Sequence, residues 1–211
     1  VLNSMRFRLA FLVFLIPWSL VLAQETASVR EGERAPLREV EQGAYLRLQG
    51  GVWYLLEAPA HEGVKGPKSF GHSLQLEVGY EFAERFSLGV MLLGTFNPAN
   101  SSYHGQSKNN EAAGGFSSLT PGLSAKVGLF GFNDAHSVRR TWIYVRAAVG
   151  ASFFFPKVLL PEMDFLLNGG IGVEYHTRLR HFSIGLEASG IGLLRAGAFG
   201  FAITPSLRYA F

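Results

Sequence analysis

The residues able to do chemistry in this chain are few, and their spacing decides which chemistry is open to them. There is no cysteine, so disulfides, thiolate metal sites and a thiol nucleophile are excluded. His61, His104, His136 and His181 show no metal-ligand spacing. His72 and Ser73 are adjacent, and adjacent residues of an extended chain point to opposite faces, which defeats a base–nucleophile hydrogen bond. Glu174, His176 and Ser183 share one face of two segments joined by a short turn, and there they would meet; ordinary packing is the expectation for them. Gly169-Gly170-Ile171-Gly172 lacks the following helix that a phosphate loop needs, and no cofactor is implied. What remains is a set of eight charges, Arg47, Glu77, Glu81, Lys126, Arg146, Glu174, Glu187 and Arg208, in which bases and acids balance. Set inside a fold, such charges must pair, because stripping one ion of water costs several kcal/mol. Their chemistry is either that of an ion-paired plug or that of a proton or ion path.

The elements that would position these residues are strands. From Ala44 onward apolar residues recur with period two. The last stretch, Ala198 to Phe211, shows it best: Phe199, Phe201, Ile203, Pro205, Leu207, Tyr209 and Phe211 fall on one face, and Ala198, Gly200, Ala202, Thr204, Ser206, Arg208 and Ala210 on the other. Seven earlier segments follow the scheme, at about Ala44 to Leu56, Phe70 to Phe82, Phe86 to Asn97, Phe116 to Phe130, Thr141 to Phe153, Leu166 to His176 and His181 to Ser189. In each, large apolar residues face one way while small, polar or charged ones face the other. An even number of such segments predicts an all-β fold, an eight-stranded antiparallel up-and-down transmembrane β-barrel with the eight charges in its lumen. Aromatics gather at both ends of the outward face: Phe82, Phe86, Tyr175, Phe182, Tyr209 and Phe211 at one, and Tyr54, Phe70, Phe96, Phe116, Phe153 and Phe199 at the other. These read as two interfacial girdles. Pro121 and Pro205 each delete a ladder donor, so a bulge or a shortened strand is expected at both.

Composition and address agree with this reading. The chain has 211 residues, 25 of them glycine and 18 phenylalanine, with only 17 % charged. Its formal charge of +3 comes without a basic run, so nucleic acid is not an expected partner. Arg6 and Arg8, the apolar run Leu9 to Leu22, and Val21 and Ala23 before Gln24 compose a secretory signal peptide over residues 1–23, with 1–4 read as upstream of the true start at Met5. Losing Arg6 and Arg8 from 19 basic residues leaves 17 against 16 acidic ones, a nearly neutral mature protein. Residues 24–43 are polar and read as a mobile periplasmic leader, and 44–211 as the barrel.

A signal peptide, eight alternating strands and a last strand closing on Leu207-Arg208-Tyr209-Ala210-Phe211 resemble the small outer-membrane barrels of the OmpA, OmpX and OmpW type. The resemblance covers about Ala44 to Phe211 and is one of architecture. It implies a bacterial outer-membrane location with both termini periplasmic, and a C-terminal signal, Leu207, Tyr209 and Phe211, recognised by the barrel-assembly machinery. It also implies contact with outer-membrane lipid and lipopolysaccharide, and other envelope proteins as partners through the extracellular loops or the leader. Unlike full-length OmpA, no peptidoglycan-binding domain follows the barrel in this sequence.

Neighbouring strands offer opposite charges, so the expected pairs are Arg47 with Glu77 or Glu81, Arg146 with Glu174, and Glu187 with Arg208. Above them the inward residues are smaller or apolar, including Trp53, Leu55, Ser73, Met91, Leu93 and Ala202, and ordinary filling is expected over an outward pocket. The functional expectation is a non-enzymatic membrane anchor or surface-exposed structural component. A narrow channel or carrier for small apolar solutes, as in OmpW, is the alternative, and a lipid A-modifying enzyme the third reading.

Overall fold

The computed structural model describes residues 43–56, 69–98, 115–135, 137–155, 163–179 and 181–211. The expected signal peptide, all of the expected leader but Gly43, and the connections 57–68, 99–114 and 156–162 lie outside the described residues. Alternation becomes eight strands: β1 (Ala44–Leu55), β2 (Ser69–Ala83), β3 (Phe86–Pro98), β4 (Gly115–Asn133), β5 (Arg139–Phe155), β6 (Met163–His176), β7 (Phe182–Leu193) and β8 (Ala198–Ala210). Each pairs antiparallel with the next and β8 pairs with β1, closing a barrel. The short turns at 84–85, 134–138 and 177–181 mark one end, called here the turn end, together with the start of β1 and the finish of β8. The four-residue 194–197 turn lies at the opposite end, called here the loop end.

Register fixes the shape. Followed once round from Phe86 on β3, through Val127, Val145, Ile171, Ala188, Ile203, Val52 and His72, the hydrogen-bonded pairs return to β3 at Phe96, ten residues further on. That stagger over eight strands corresponds to a tilt of about 40° and a backbone radius of about 8 Å. The lumen is therefore only as wide as side chains can fill.

Burial is inverted relative to a soluble barrel. On the outer face Val90 and Leu123 are 63 % and 61 % exposed, whereas Arg47 and Glu77 on the inner face are 1 % exposed. Rings at the two ends touch along the outside: Tyr80–Phe82 and Phe182–Tyr209 at the turn end with centroids 5.2 and 5.0 Å apart, and Tyr54–Phe201 at the loop end at 5.2 Å. The girdles need one correction. Phe116 is buried inside, tilted edge-on against Phe154, because its parity on β4 is that of inward Ser124 and Lys126.

Other expectations also change. The strands run through Pro121 and Pro205 without a bulge or a break. Each proline keeps its partner on one side, Leu92 and Leu186, while the register lapses for two residues on the other, against β5 and β1. A proline costs only the ladder bond its own nitrogen would have made. β7 continues to Leu193, past the expected end at Ser189, because Ile191 and Leu193 bury inward while Gly190 and Gly192 face out.

The closing seam has little tolerance. At Gly51, across from the lapse at Pro205, an added Cβ would overlap the carbonyl oxygen of Ile203 and lie 2.8 Å from Thr204 Cα, both main chain. At neighbouring Gly50 the same atom meets Leu74 Cδ1 at 3.6 Å and Ser73 O at 3.9 Å, both ordinary contacts. Gly51→Val is expected to lower stability by at least about 1–3 kcal/mol or prevent folding, and Gly50→Ala to stay within about 0.5 kcal/mol of wild type. Refolding into lipid vesicles followed by circular dichroism and denaturant titration checks both.

Candidate functional site

The alternation that turns leucines outward turns every one of the eight charges inward. Glu77, Arg146 and Glu187 lie near the middle of their strands, and the other five lie toward the turn end. The pairing differs from that expected. Arg146 on β5 bridges Glu77 on β2 (3.0 Å) and Glu187 on β7 (3.1 Å). Arg208 on β8 reaches Glu81 on β2 (2.6 Å) and Glu174 on β6 (3.4 Å). Lys126 on β4 contacts Glu174 (2.6 Å) and Glu81 (3.5 Å), and Arg47 on β1 contacts Glu174 (3.5 Å). Each of these pairs joins strands two or three apart.

The register gives the reason. Arg47 stands directly opposite Arg208 across the closing seam, and Lys126 directly opposite Arg146. Like charges side by side repel, so carboxylates must reach in from farther round the wall, and the narrow lumen lets them. Arg47 does face Glu77 on β2, but Glu77 accepts instead from Tyr45 Oη (2.7 Å), Gln75 Nε2 (3.1 Å) and Arg146.

Two tyrosines that sequence reasoning left out of the network belong to it. Tyr144 Oη donates to Glu187 (3.1 Å) as Tyr45 does to Glu77, and the two rings flank the Arg47 guanidinium at 5.7 and 5.9 Å. Arg208 lies 4.5 Å from the Tyr45 ring centre and Lys126 5.5 Å from that of Tyr144. Ring faces attract cations most when both are shielded from water. The signal in the sequence was their inward parity beside Arg47 and Arg146.

Toward the loop end the lumen changes character. Trp53, Leu55, Leu93, Phe116, Phe154, Leu166, Ile191, Leu193, Ala198 and Ala202 form one buried apolar cluster. Asp164, also buried and missed in the sequence, accepts from the backbone N–H groups of Phe165 (2.6 Å), Arg195 (2.7 Å) and Ala196 (2.9 Å), fixing the 194–197 turn over that cluster.

The residues weighed for catalysis are placed as follows. His72 faces outward beside the Phe70 ring and Ser73 faces in. Ser183 Oγ gives its hydrogen to Glu174 Oε1 (2.7 Å), and the same carboxylate serves Lys126, Arg208 and Arg47. His61, His104 and His136 lie outside the described residues, and His181 Nδ1 meets Ala210 O at 3.0 Å with its ring stacked on Tyr209. Among the described residues no group of His, Asp and Glu is arranged to hold a metal ion. Leu207, Tyr209 and Phe211 share the outer face of β8 at the turn end, where Phe211 N–H donates to Ala44 O (2.9 Å) across the seam.

Eight closed antiparallel strands with an apolar exterior and a charged interior are the architecture of the small outer-membrane β-barrels. The crystal structure of Neisserial surface protein A is similar to this chain with a TM-score of 0.57 at 13 % identity, over 80 % of this chain and 97 % of that one. The outer membrane enzyme PagL (TM-score 0.45, 12 % identity, 79 % and 99 % covered) and the outer membrane protein OprG from Pseudomonas aeruginosa (0.46, 12 %, 81 % and 97 %) are also similar. No protein-family model matches the sequence, and no curated protein matches it.

Glu174 is the hub of the network, in contact with three cations. Glu174→Gln leaves them short of a buried counter-charge and is expected to destabilise the barrel by about 3–5 kcal/mol. Glu84→Gln, which breaks the exposed Arg139–Glu84 pair (3.1 Å), is expected to cost no more than about 1 kcal/mol. Guanidinium unfolding in lipid vesicles measures the difference.

Proposed function

We propose that this chain is an integral, non-enzymatic protein of the bacterial outer membrane, acting as a membrane anchor or surface-exposed structural component with a sealed lumen. One observation carries the reading: the lumen is filled twice, by a charge-balanced ionic layer toward the turn end and by a packed apolar cluster toward the loop end. An ion-selective path asks for a ring of one sign, whereas here every cation of the layer has a glutamate within 3.5 Å. A carrier for apolar solutes needs open volume where Trp53, Phe116 and Phe154 are packed.

On this reading the exposed leucines and aromatics face lipid, and the loop end meets the lipopolysaccharide leaflet. The turn end and both termini face the periplasm, where the leader and a signal of Leu207, Tyr209 and Phe211 are open to the assembly machinery. A non-catalytic role is supported by the engagement of Glu174 and Ser183 in the ion network and by the opposed faces of His72 and Ser73.

Reconstituted in planar bilayers, the purified protein is expected to give a flat current trace at both polarities. Reproducible single-channel steps would contradict the sealed lumen and favour the channel reading.

A further inference from the structure

Between the two fillings lies a small cavity, about 20 Å³, whose wall includes Gln49, Trp53, Ser73, Arg146, Asn168 and Glu187. Five side-chain atoms of this wall have no hydrogen-bond partner: Gln49 Nε2, Trp53 Nε1, Ser73 Oγ, Arg146 Nε and Asn168 Oδ1. Gln49, Trp53 and Arg146 are 2 %, 1 % and 3 % exposed. Gly51, inward between Gln49 and Trp53 on β1, adds no side chain to the space.

The polarity of these groups follows from their neighbours. The carboxylate of Glu77 only accepts, so the Gln75 atom 3.1 Å away is its amide nitrogen, which also donates to Gln49 Oε1 (2.8 Å). Gln49 therefore presents its own NH₂ to the cavity. Trp53 Nε1 and Arg146 Nε are donors by constitution. Three groups that only donate and a hydroxyl thus stand round one space, with Asn168 Oδ1 and Glu187 as acceptors.

A buried donor left unpaired costs about 1–3 kcal/mol, and a cavity needs roughly 10–15 Å³ to hold a water molecule, which wants two to four polar partners. A halide fits the donors but not the wall, because the Glu187 carboxylate lines it and both Nη atoms of Arg146 are already engaged, by Glu187 and Glu77. We propose that this cavity is a built site for one internal water. It accepts from the Trp53 indole and from Gln49 or Arg146, and donates to Asn168 Oδ1 and Glu187. The water ties the apolar cluster, through Trp53, to the ionic layer, through Arg146, so the middle of the sealed lumen is hydrated.

The test is NMR of the full chain with ¹⁵N-labelled tryptophan, refolded in deuterated detergent micelles, the Trp53 indole signal being assigned with Trp18→Phe and Trp142→Phe. A cross-relaxation peak between the Trp53 indole proton and long-lived water is expected. It should vanish in Ser73→Leu, which fills the cavity, or in Asn168→Leu from the opposite side should the first variant not fold. Absence of the peak in the otherwise folded wild-type protein overturns the proposal, and so does its persistence in the filled variant. Replacing chloride by bromide should leave the Trp53 resonance in place; a shift would assign the site to an anion and also overturn it.

Discussion

In hydrocarbon no backbone N–H or C=O can turn to water, so a sheet that crosses a membrane must leave no edge. Everything else in this molecule depends on that closure. The β1–β8 seam meets it through the pairs from Tyr45–Ala210 to Leu55–Gly200, and through Gly51, where the absence of a side chain lets β1 lie against the main chain of β8. Closing eight strands with a ten-residue stagger leaves a lumen of side-chain width. Alternation then has only two destinations, lipid outside and this narrow interior within.

The narrow interior explains why the charges pair as they do. In a wide barrel Arg47 and Arg208, or Lys126 and Arg146, would face each other beside water. Here they are dry, adjacent and alike, so each finds its glutamate two or three strands round the wall. The pairs therefore act as struts across the lumen, and the rings of Tyr45 and Tyr144 fill the remaining space while sharing the cations. The desolvation cost of so many ions is offset only because the glutamates collect several partners each. Toward the loop end, where the one buried carboxylate of the described residues, Asp164, is satisfied by backbone N–H groups, the same width is filled by Trp53, Phe116, Phe154 and their neighbours.

The outer face was legible in the sequence because its period is two and lipid requires apolar residues at almost every outward position; Ala198 to Phe211 alone displays it. The same parity placed all eight charges inside. Partner choice was not legible, since it depends on register, and the register that sets Lys126 opposite Arg146 depends on the shifts at Gly128–Phe130 and Phe132–Asn133, which leave no clear mark in sequence. The apolar filling was half hidden. Phe154, Ile191 and Leu193 lie beyond the segments that the alternation marks out, and Phe116 has the residue type of a girdle but the parity of the lumen. Asp164 likewise precedes the segment that begins at Leu166 in the sequence pattern.

That struts across the lumen, rather than pairs along the sheet, hold the charges is the centre of this account. A double-mutant cycle on Arg146→Gln and Glu77→Gln, residues three strands apart, measures the interaction directly by guanidinium unfolding in vesicles. A coupling energy of about 1.5 kcal/mol or more is expected. Additivity within about 0.5 kcal/mol would mean that the two side chains do not sense each other, and the account would fail.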